Sequence, residues 1–448
     1  MDDLPPPIIV DILSRLTDSA DLARCRVVCR SLNALSRDVR SINLHCTLSR
    51  YNRSRSREDR ALTKPFKAIF YDLVRDSRVL ESVAIGVEKS LNGISYDDVD
   101  DESDDLFLTD VRFVKEWLPR VCGELKSLSI SDFWVQSCWR RSDILALISS
   151  CCTGLLSLEL KNAWLSVDGL NPMPKLTSLT LEFIRLDDED LNRVNHGFPC
   201  LQVLNLIGVG GFKEPKIHLC HLKKCQWTVS NAPHSLTIFA PKLMKLKLKC
   251  IRPESLVLDT PLLSDFHLSI EKANKLGVKE FLDLKSLKLD SVNLCSLIRS
   301  FPSGTKLRKL TLDSSKLIQP VEMTRLSLEA LFDAFPSLSS ITVCKLAWSE
   351  MEMCFLTSGI QSQIEMRSLK EITAQLVICD VNVTLMFIFS ILDKCTNLAD
   401  ITFLIHHEVE ANVTGNLISK CTAYRPGVNW RWGICKEGTG DTWVCHGI

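Results

Sequence analysis

The amino-acid sequence predicts an α/β chain in which a short three-helix module is followed by an irregular solenoid with a parallel sheet on its concave side. Three observations carry that expectation. The pattern LxxLxL returns over most of the 448 residues, the opening residues space apolar side chains as helices do, and helical runs separate several copies of the pattern.

The first helix is expected where the prolines of residues 4–7 open it, because proline suits the first helical turn. Ile8, Ile12 and Leu16 recur at intervals of four beside Ile9 and Leu13, which makes a wide apolar stripe. Asp18 or Ser19 can cap a second helix running through Leu22 and Cys25, and Val27, Val28, Leu32 and Leu35 continue the periodicity into a third. A block of roughly 40 residues seldom holds itself together without disulfides, metal or association. Residues 1–40 therefore form a module that needs a covering surface, either a partner or, more plainly, the end of the repeat array that it would cap.

The repeats occupy residues 41–409. LxxLxL, with conservative replacements, starts at Leu125, Leu155, Leu176, Leu201, Leu222, Leu243, Leu263, Leu284, Leu307, Leu338, Leu369 and Leu398, and fainter copies start at Val39 and Leu80. The spacings from Leu125 onward lie between 20 and 31 residues, the range of leucine-rich repeats or close to it. Alternate leucines bury one face of a short strand, and each strand stacks on its neighbour. Helical runs at 142–151, 327–334 and 385–394 predict helices in the longer repeats, whereas the shorter middle ones carry a second strand-like piece at 236–241 and 256–261. Regular repeats place Asn or Cys three positions after the last leucine. Here that position holds Phe133, Ala163, Ile184, Val209, Ile251, Val292 or Leu346, so apolar turns replace an amide ladder. Residues 410–448 are expected to close the array with a hairpin, because Val428, Trp430, Trp432 and Ile434 alternate before a polar turn and Trp443-Val444 follows it. Its tryptophans seal the end or offer a ligand surface.

At the amino end Leu4-Pro5, Ile8, Ile12-Leu13-Ser14-Arg15-Leu16, Asp21-Leu22 and Val28-Cys29-Arg30 resemble the F-box motif of ubiquitin-ligase substrate adaptors. Pro7 stands where that motif usually has an acidic residue, and Leu32 where tryptophan is common. With the repeats, the chain looks like the plant F-box and leucine-rich-repeat group. The resemblance implies docking on the Skp-type adaptor of a cullin–RING ligase through Leu4, Pro5, Ile8, Ile12, Leu13, Leu16, Leu22, Val28, Cys29 and Leu32. It implies a non-enzymatic receptor that presents an unidentified protein for ubiquitination. Alternatives are a repeat receptor for a small molecule or hormone and a plain interaction scaffold. Solvent-facing residues between the leucines, namely Ser127, Ser129, Glu159, Lys161, Lys245, Lys247, Lys249, Lys288 and Asp290, line the expected sheet face. The lysines at 242–249 suit an acidic target, or are only the solvated side of a strand.

Composition points the same way. Lys plus Arg equals Asp plus Glu at 54 each, so no global charge calls for nucleic acid or membrane. The start MDDLPPP lacks a basic region before an apolar core, and the most apolar window, 384–392, is too short to span a bilayer, which predicts a cytoplasmic or nuclear protein. Nineteen cysteines, an odd and scattered set, fit free thiols in a reducing compartment. His218, Cys220, His221 and Cys225 do not follow zinc-finger spacing, so no metal or other cofactor is expected. His406 and His407 are expected one inward and one solvated. The phosphate-loop, nucleophile-elbow, HExxH and dinucleotide motifs do not occur, and Gly438-Thr439-Gly440 lacks a following lysine. Two charged runs, five arginines in 50–60 and seven acidic residues in 96–105, are expected to be solvated loops. The sharper readings are phosphate binding by the first and phosphorylation of Ser103 in the second.

Overall fold

The computed structural model of the chain describes residues 4–56, 63–94, 105–137, 139–271, 275–278, 281–302, 306–314, 326–359, 366–436 and 442–443. They fall into two compact units, Met1–Asn231 and Ala232–Ile448.

The first unit opens with three helices, α1 Pro6–Ser14, α2 Ser19–Val28 and α3 Arg30–Leu35. Proline at the start of α1 costs nothing, since the first helical N–H groups have no partner inside the helix. The Asp18 carboxylate accepts from the Ala20 N–H at 2.8 Å and starts α2. Cys29 is extended, so it breaks α2 from α3, and its Sγ accepts from the Leu32 N–H at 3.4 Å. Ile9, Leu13, Leu22, Leu32 and Val39 form the buried core of this module, edged by Leu16, Cys25 and Leu35.

The repeats of the first unit follow: β1 Ser41–Cys46, α4 Leu48–Arg55, α5 Phe66–Asp76, β2 Ser82–Val87, α6 Val111–Val121, β3 Ser127–Ser131, α7 Trp134–Ser137, β4 Arg141–Ser142, α8 Ile144–Cys151, β5 Ser157–Lys161, β6 Trp164–Leu165, β7 Ser178–Glu182, α9 Asp188–Gly197, β8 Val203–Val209, β9 Lys216–His218 and β10 Lys224–Val229. The main sheet runs β1-β2-β3-β5-β7-β8-β10, every pair parallel, and Ser41, Ser82, Ser127, Ser157 and Ser178 stand in register across it. Each strand of this sheet begins two residues after the first position of an LxxLxL copy, and its leucines point into the core. Helices cover that core; between α5 and α6, Phe70 and Trp117 meet edge-on at 5.1 Å. At the turn position after the strands, Phe133, Ala163, Ile184 and Val209 are buried as the apolar-turn expectation requires, whereas in the second unit Val292 and Leu346 are half-buried and Ile251 is exposed, so the apolar turn does not hold there.

The basic run is corrected here. Residues 50–55 are not a loop but most of α4, capped by Thr47, whose hydroxyl accepts from the Arg50 N–H at 3.3 Å, and anchored by the buried Tyr51. Residues 57–60 lie outside the described residues, as do 96–104 of the acidic run and with them Ser103. Asp105, the last residue of that run, accepts from the N–H groups of Phe66 at 2.7 Å and Lys67 at 3.0 Å, a favourable place for a carboxylate at the start of α5.

The second unit contains β11 Ser235–Phe239, β12 Lys245–Cys250, β13 Ser255–Asp259, β14 Asp265–Ile270, β15 Lys275–Val278, β16 Ser286–Asp290, α10 Leu294–Arg299, β17 Lys309–Asp313, α11 Leu328–Ala334, β18 Ser340–Val343, α12 Lys345–Ser358, β19 Glu371–Leu376, α13 Val381–Lys394, β20 Asp400–His406, α14 Ala411–Tyr424, β21 Asn429–Cys435 and β22 Thr442–Trp443. Its main sheet runs β12-β14-β16-β17-β18-β19-β20-β21-β22 and is parallel up to β21. The strand-like pieces of the shorter repeats pair with each other in a small parallel sheet, β11-β13-β15.

The expected closing hairpin is present, with one addition. β21 and β22 do pair antiparallel at Gly433 and Trp443, but β21 first pairs parallel with β20 from Asn429 to Cys435. Preceded by α14, it forms one more helix–strand repeat, so the array runs past residue 409. Trp432 is buried against Phe403 at 5.4 Å and stacks on Trp430 at 5.6 Å. His406 is mostly covered and His407 exposed.

Candidate functional site

The amino-terminal module carries two apolar stripes with different fates. On α1, Ile9 and Leu13 turn inward, Leu13 with 4% exposure, while Ile8 and Ile12 one position earlier face out, Ile8 with 47%. A helix places successive residues about a hundred degrees apart, so a stripe this wide cannot be covered by one small core. Leu4, Pro5, Val28 and Cys29 are exposed as well. Of the residues expected to meet an adaptor, Leu13, Leu22 and Leu32 are instead packed into the module's own core, and Leu16 is half-buried at its edge. The burial has a simple cause: three short helices need some leucines for themselves.

Val27 was not singled out as a contact, yet at 86% exposure it is the barest apolar side chain of the module, beside Val28 at 71%. The signal was present in the sequence as two adjacent valines at a helix end, of which the core can use at most one. A depression of about 540 Å³ opens between α1 and α3, lined by Leu4, Pro6, Ile9, Cys29, Leu32 and Leu35. Two ion pairs border the apolar surface, Arg15 with Asp11 at 2.7 Å and Arg24 with Asp21 at 2.5 Å. An apolar surface edged by charge marks a protein-docking face.

The module is fastened to the first repeat. The Asn43 N–H donates to the Ser19 hydroxyl at 2.8 Å and the Asn43 amide donates to the Thr17 carbonyl at 2.6 Å. Arg26 donates to the Ser36 hydroxyl at 3.0 Å and reaches Asp76 at 3.4 Å.

The sheet face presents the residues expected between the leucines. In the first unit the Lys161 ammonium lies 2.9 Å from Glu159 and 3.1 Å from Glu182, and the Ser129 hydroxyl donates to Glu159 at 2.7 Å. Burial works against the charge on Lys161, but its two carboxylate partners outweigh that and hold its pKa above the ordinary lysine value. In the second unit Lys245, Lys247 and Lys249 stand exposed along β12, Lys288 lies 3.8 Å from Asp313, and the Ser269 hydroxyl donates to Asp290 at 2.8 Å.

Cys225 occupies a buried inward position on β10 where burial pushes its thiol up to about 12, while Cys220 and His218 are exposed. Among the described residues no group of three His, Cys, Asp or Glu side chains is placed to hold a metal ion, and no helix is long and apolar enough to cross a membrane.

Comparison with known proteins matches this arrangement. The F-box-like family model matches residues 1–42. An F-box/LRR-repeat protein of Arabidopsis thaliana is 52% identical over 449 aligned residues, covering 99% of this chain and 100% of the relative.

Proposed function

This chain belongs to the F-box/LRR-repeat family, and on that premise we propose that it is the substrate-receiving subunit of a Skp–cullin–F-box ubiquitin ligase. Its amino-terminal helices dock on the Skp-type adaptor, and through it on a cullin, while the strand face of the repeats holds a target protein. The observation that carries this reading is the set of large apolar side chains left bare on a small module: Leu4, Ile8 and Ile12 at and before α1, and Val27 and Val28 at the end of α2. Pro5 and Cys29 are exposed beside them in sequence, and Leu13, Leu16, Leu22 and Leu32 act from the core by fixing the helices that present them.

The mechanism is proximity. A target held on the repeats brings its lysines beside a charged ubiquitin carrier and raises their effective concentration, so bond making falls to other subunits. The role assigns the protein to the cytoplasm or nucleus, where its free cysteines stay reduced.

The test is co-purification with a recombinant Skp-type adaptor. Replacing Ile8 and Val28 together by Asp removes the outer surface and leaves the inner core alone, so adaptor capture is expected to be lost while the chain keeps its thermal midpoint. Undiminished capture by that variant, or no capture by the parent chain, defeats the reading and leaves a repeat scaffold with a capped end.

A further inference from the structure

We propose that the strand face of the first unit is a recognition trough for a basic segment of the target, seating a lysine or arginine side chain between the Phe183 ring and the carboxylates of Glu159 and Glu182. The inference rests on the reading that the repeats hold a protein target. It names the chemistry of that target, which the family does not.

The shape comes from the register. Asn43, Ala84, Ser129 and Glu159 stand in one row across β1, β2, β3 and β5, and His45, Gly86, Ser131 and Lys161 stand in the next. Side chains along both rows shrink to a methyl, a hydroxymethyl or a hydrogen over β2 and β3 and lengthen again on either side. The result is a trough of about 690 Å³ with a narrow floor and two walls, within the size range of ligand sites.

The charge selects the occupant. Three carboxylates line the trough, Glu88, Glu159 and Glu182, against two ammonium groups, Lys89 and Lys161, which leaves one negative charge in excess. Glu88 accepts from the Leu48 N–H and the Ser90 hydroxyl and Glu159 from the Ser129 hydroxyl, while the Glu159–Lys161–Glu182 row carries two acids on one base. Burial, the largest influence on His45, lowers its pKa and favours the uncharged ring. A cationic side chain completes the row.

The aromatic wall is the second observation. Backbone at the end of β5 and β7 turns left-handed, at Asn162 with φ 55° and Phe183 with φ 53°, and Gly208 does the same with φ 63°. Asn and Gly tolerate that region and phenylalanine does not. Phe183 is nonetheless 56% exposed at the rim of the trough, with its ring so close to Gly208 that a Cβ there would lie 2.7 Å from it. Core packing does not require an exposed ring in a disfavoured conformation, whereas a ring face presented to a cation beside carboxylates has a use.

The experiment uses the full chain bound to its Skp-type adaptor and fluorescence anisotropy with two labelled peptides of equal length, one rich in Lys and Arg and one rich in Ser and Gly. The basic peptide is expected to bind and the neutral one not. Phe183→Asn suits the left-handed backbone, so the thermal midpoint is expected to hold or rise while affinity for the basic peptide falls about fivefold. Glu182→Gln leaves the backbone alone and is expected to weaken the same peptide by about the same factor. Equal binding of both peptides, or unchanged affinity in both variants, overturns the inference. Adaptor capture is measured on the same samples: intact capture with either of those results defeats the trough alone, whereas loss of capture by the parent chain defeats the ligase reading.

Discussion

Asp132 is fully buried at the end of β3, where the Thr109 hydroxyl and the N–H groups of Leu108 and Thr109 all donate to it. Burial pushes its carboxyl up to about 7 against those hydrogen bonds. An unfolded chain holds aspartate near 4, so folding raises this pKa. Its contribution to stability is therefore complete below about pH 4 and is lost as pH rises through about 7. Thermal midpoints are expected to fall between about pH 4 and about pH 7 and to level off above it, and Asp132→Asn to flatten that slope. Nothing in the sequence marked this residue, because its surroundings come from a segment more than twenty positions away. Neighbouring residues of α1 were only half legible for a different reason: periodicity shows that both Ile12 and Leu13 are apolar, not which of them the small core has room for. Their difference is measurable by denaturant unfolding, with Leu13→Ala expected to cost about 2–5 kcal/mol and Ile12→Ala under about 0.5 kcal/mol.

Strands of the two main sheets were the most legible elements, since their inward leucines and their starts obey one rule from β1 to β20. Helix α4 was missed because its arginines outweighed two local signals, the Thr47 cap and the apolar face of Tyr51. Arg55 lies 3.5 Å over that ring, so the charge run is partly a cover for an aromatic rather than a solvated tail. Another element-scale device joins α13 to α14. Arg425 donates to the carbonyls of Leu392, of Cys395 at 3.1 Å and of Thr396 at 2.8 Å, so the guanidinium of one repeat satisfies the helix end of the repeat before it. Arg425→Ala is expected to cost about 1–3 kcal/mol and to raise amide exchange in the last turn of α13 first.

At the scale of the molecule, a chain of repeats is stable as a sum of neighbour contacts, and its ends need special treatment. The repeat character of β21 was hidden in the sequence because Trp430 and Trp432 replace the repeat leucines while keeping the inward alternation. Beyond it β22 pairs antiparallel and covers part of the open edge of β21. Ending the chain after Cys435 is expected to bare that edge, and light scattering on the shortened protein should report self-association absent from the parent. Sheet architecture and the three amino-terminal helices were readable from spacing. The trough was not, because its floor is a property of register between distant strands, with Ala84 and Ser129 brought side by side by the fold alone. The clamp between Asn43 and the turn at Thr17 and Ser19 has its own corollary. Under the proposed role, strand β1 carries both that clamp and one wall of the trough, so the receptor would work as a jig and not as a leash: a client's reachable lysines would be chosen by bearing, fixed when the chain folds, and not by a search through space afterwards.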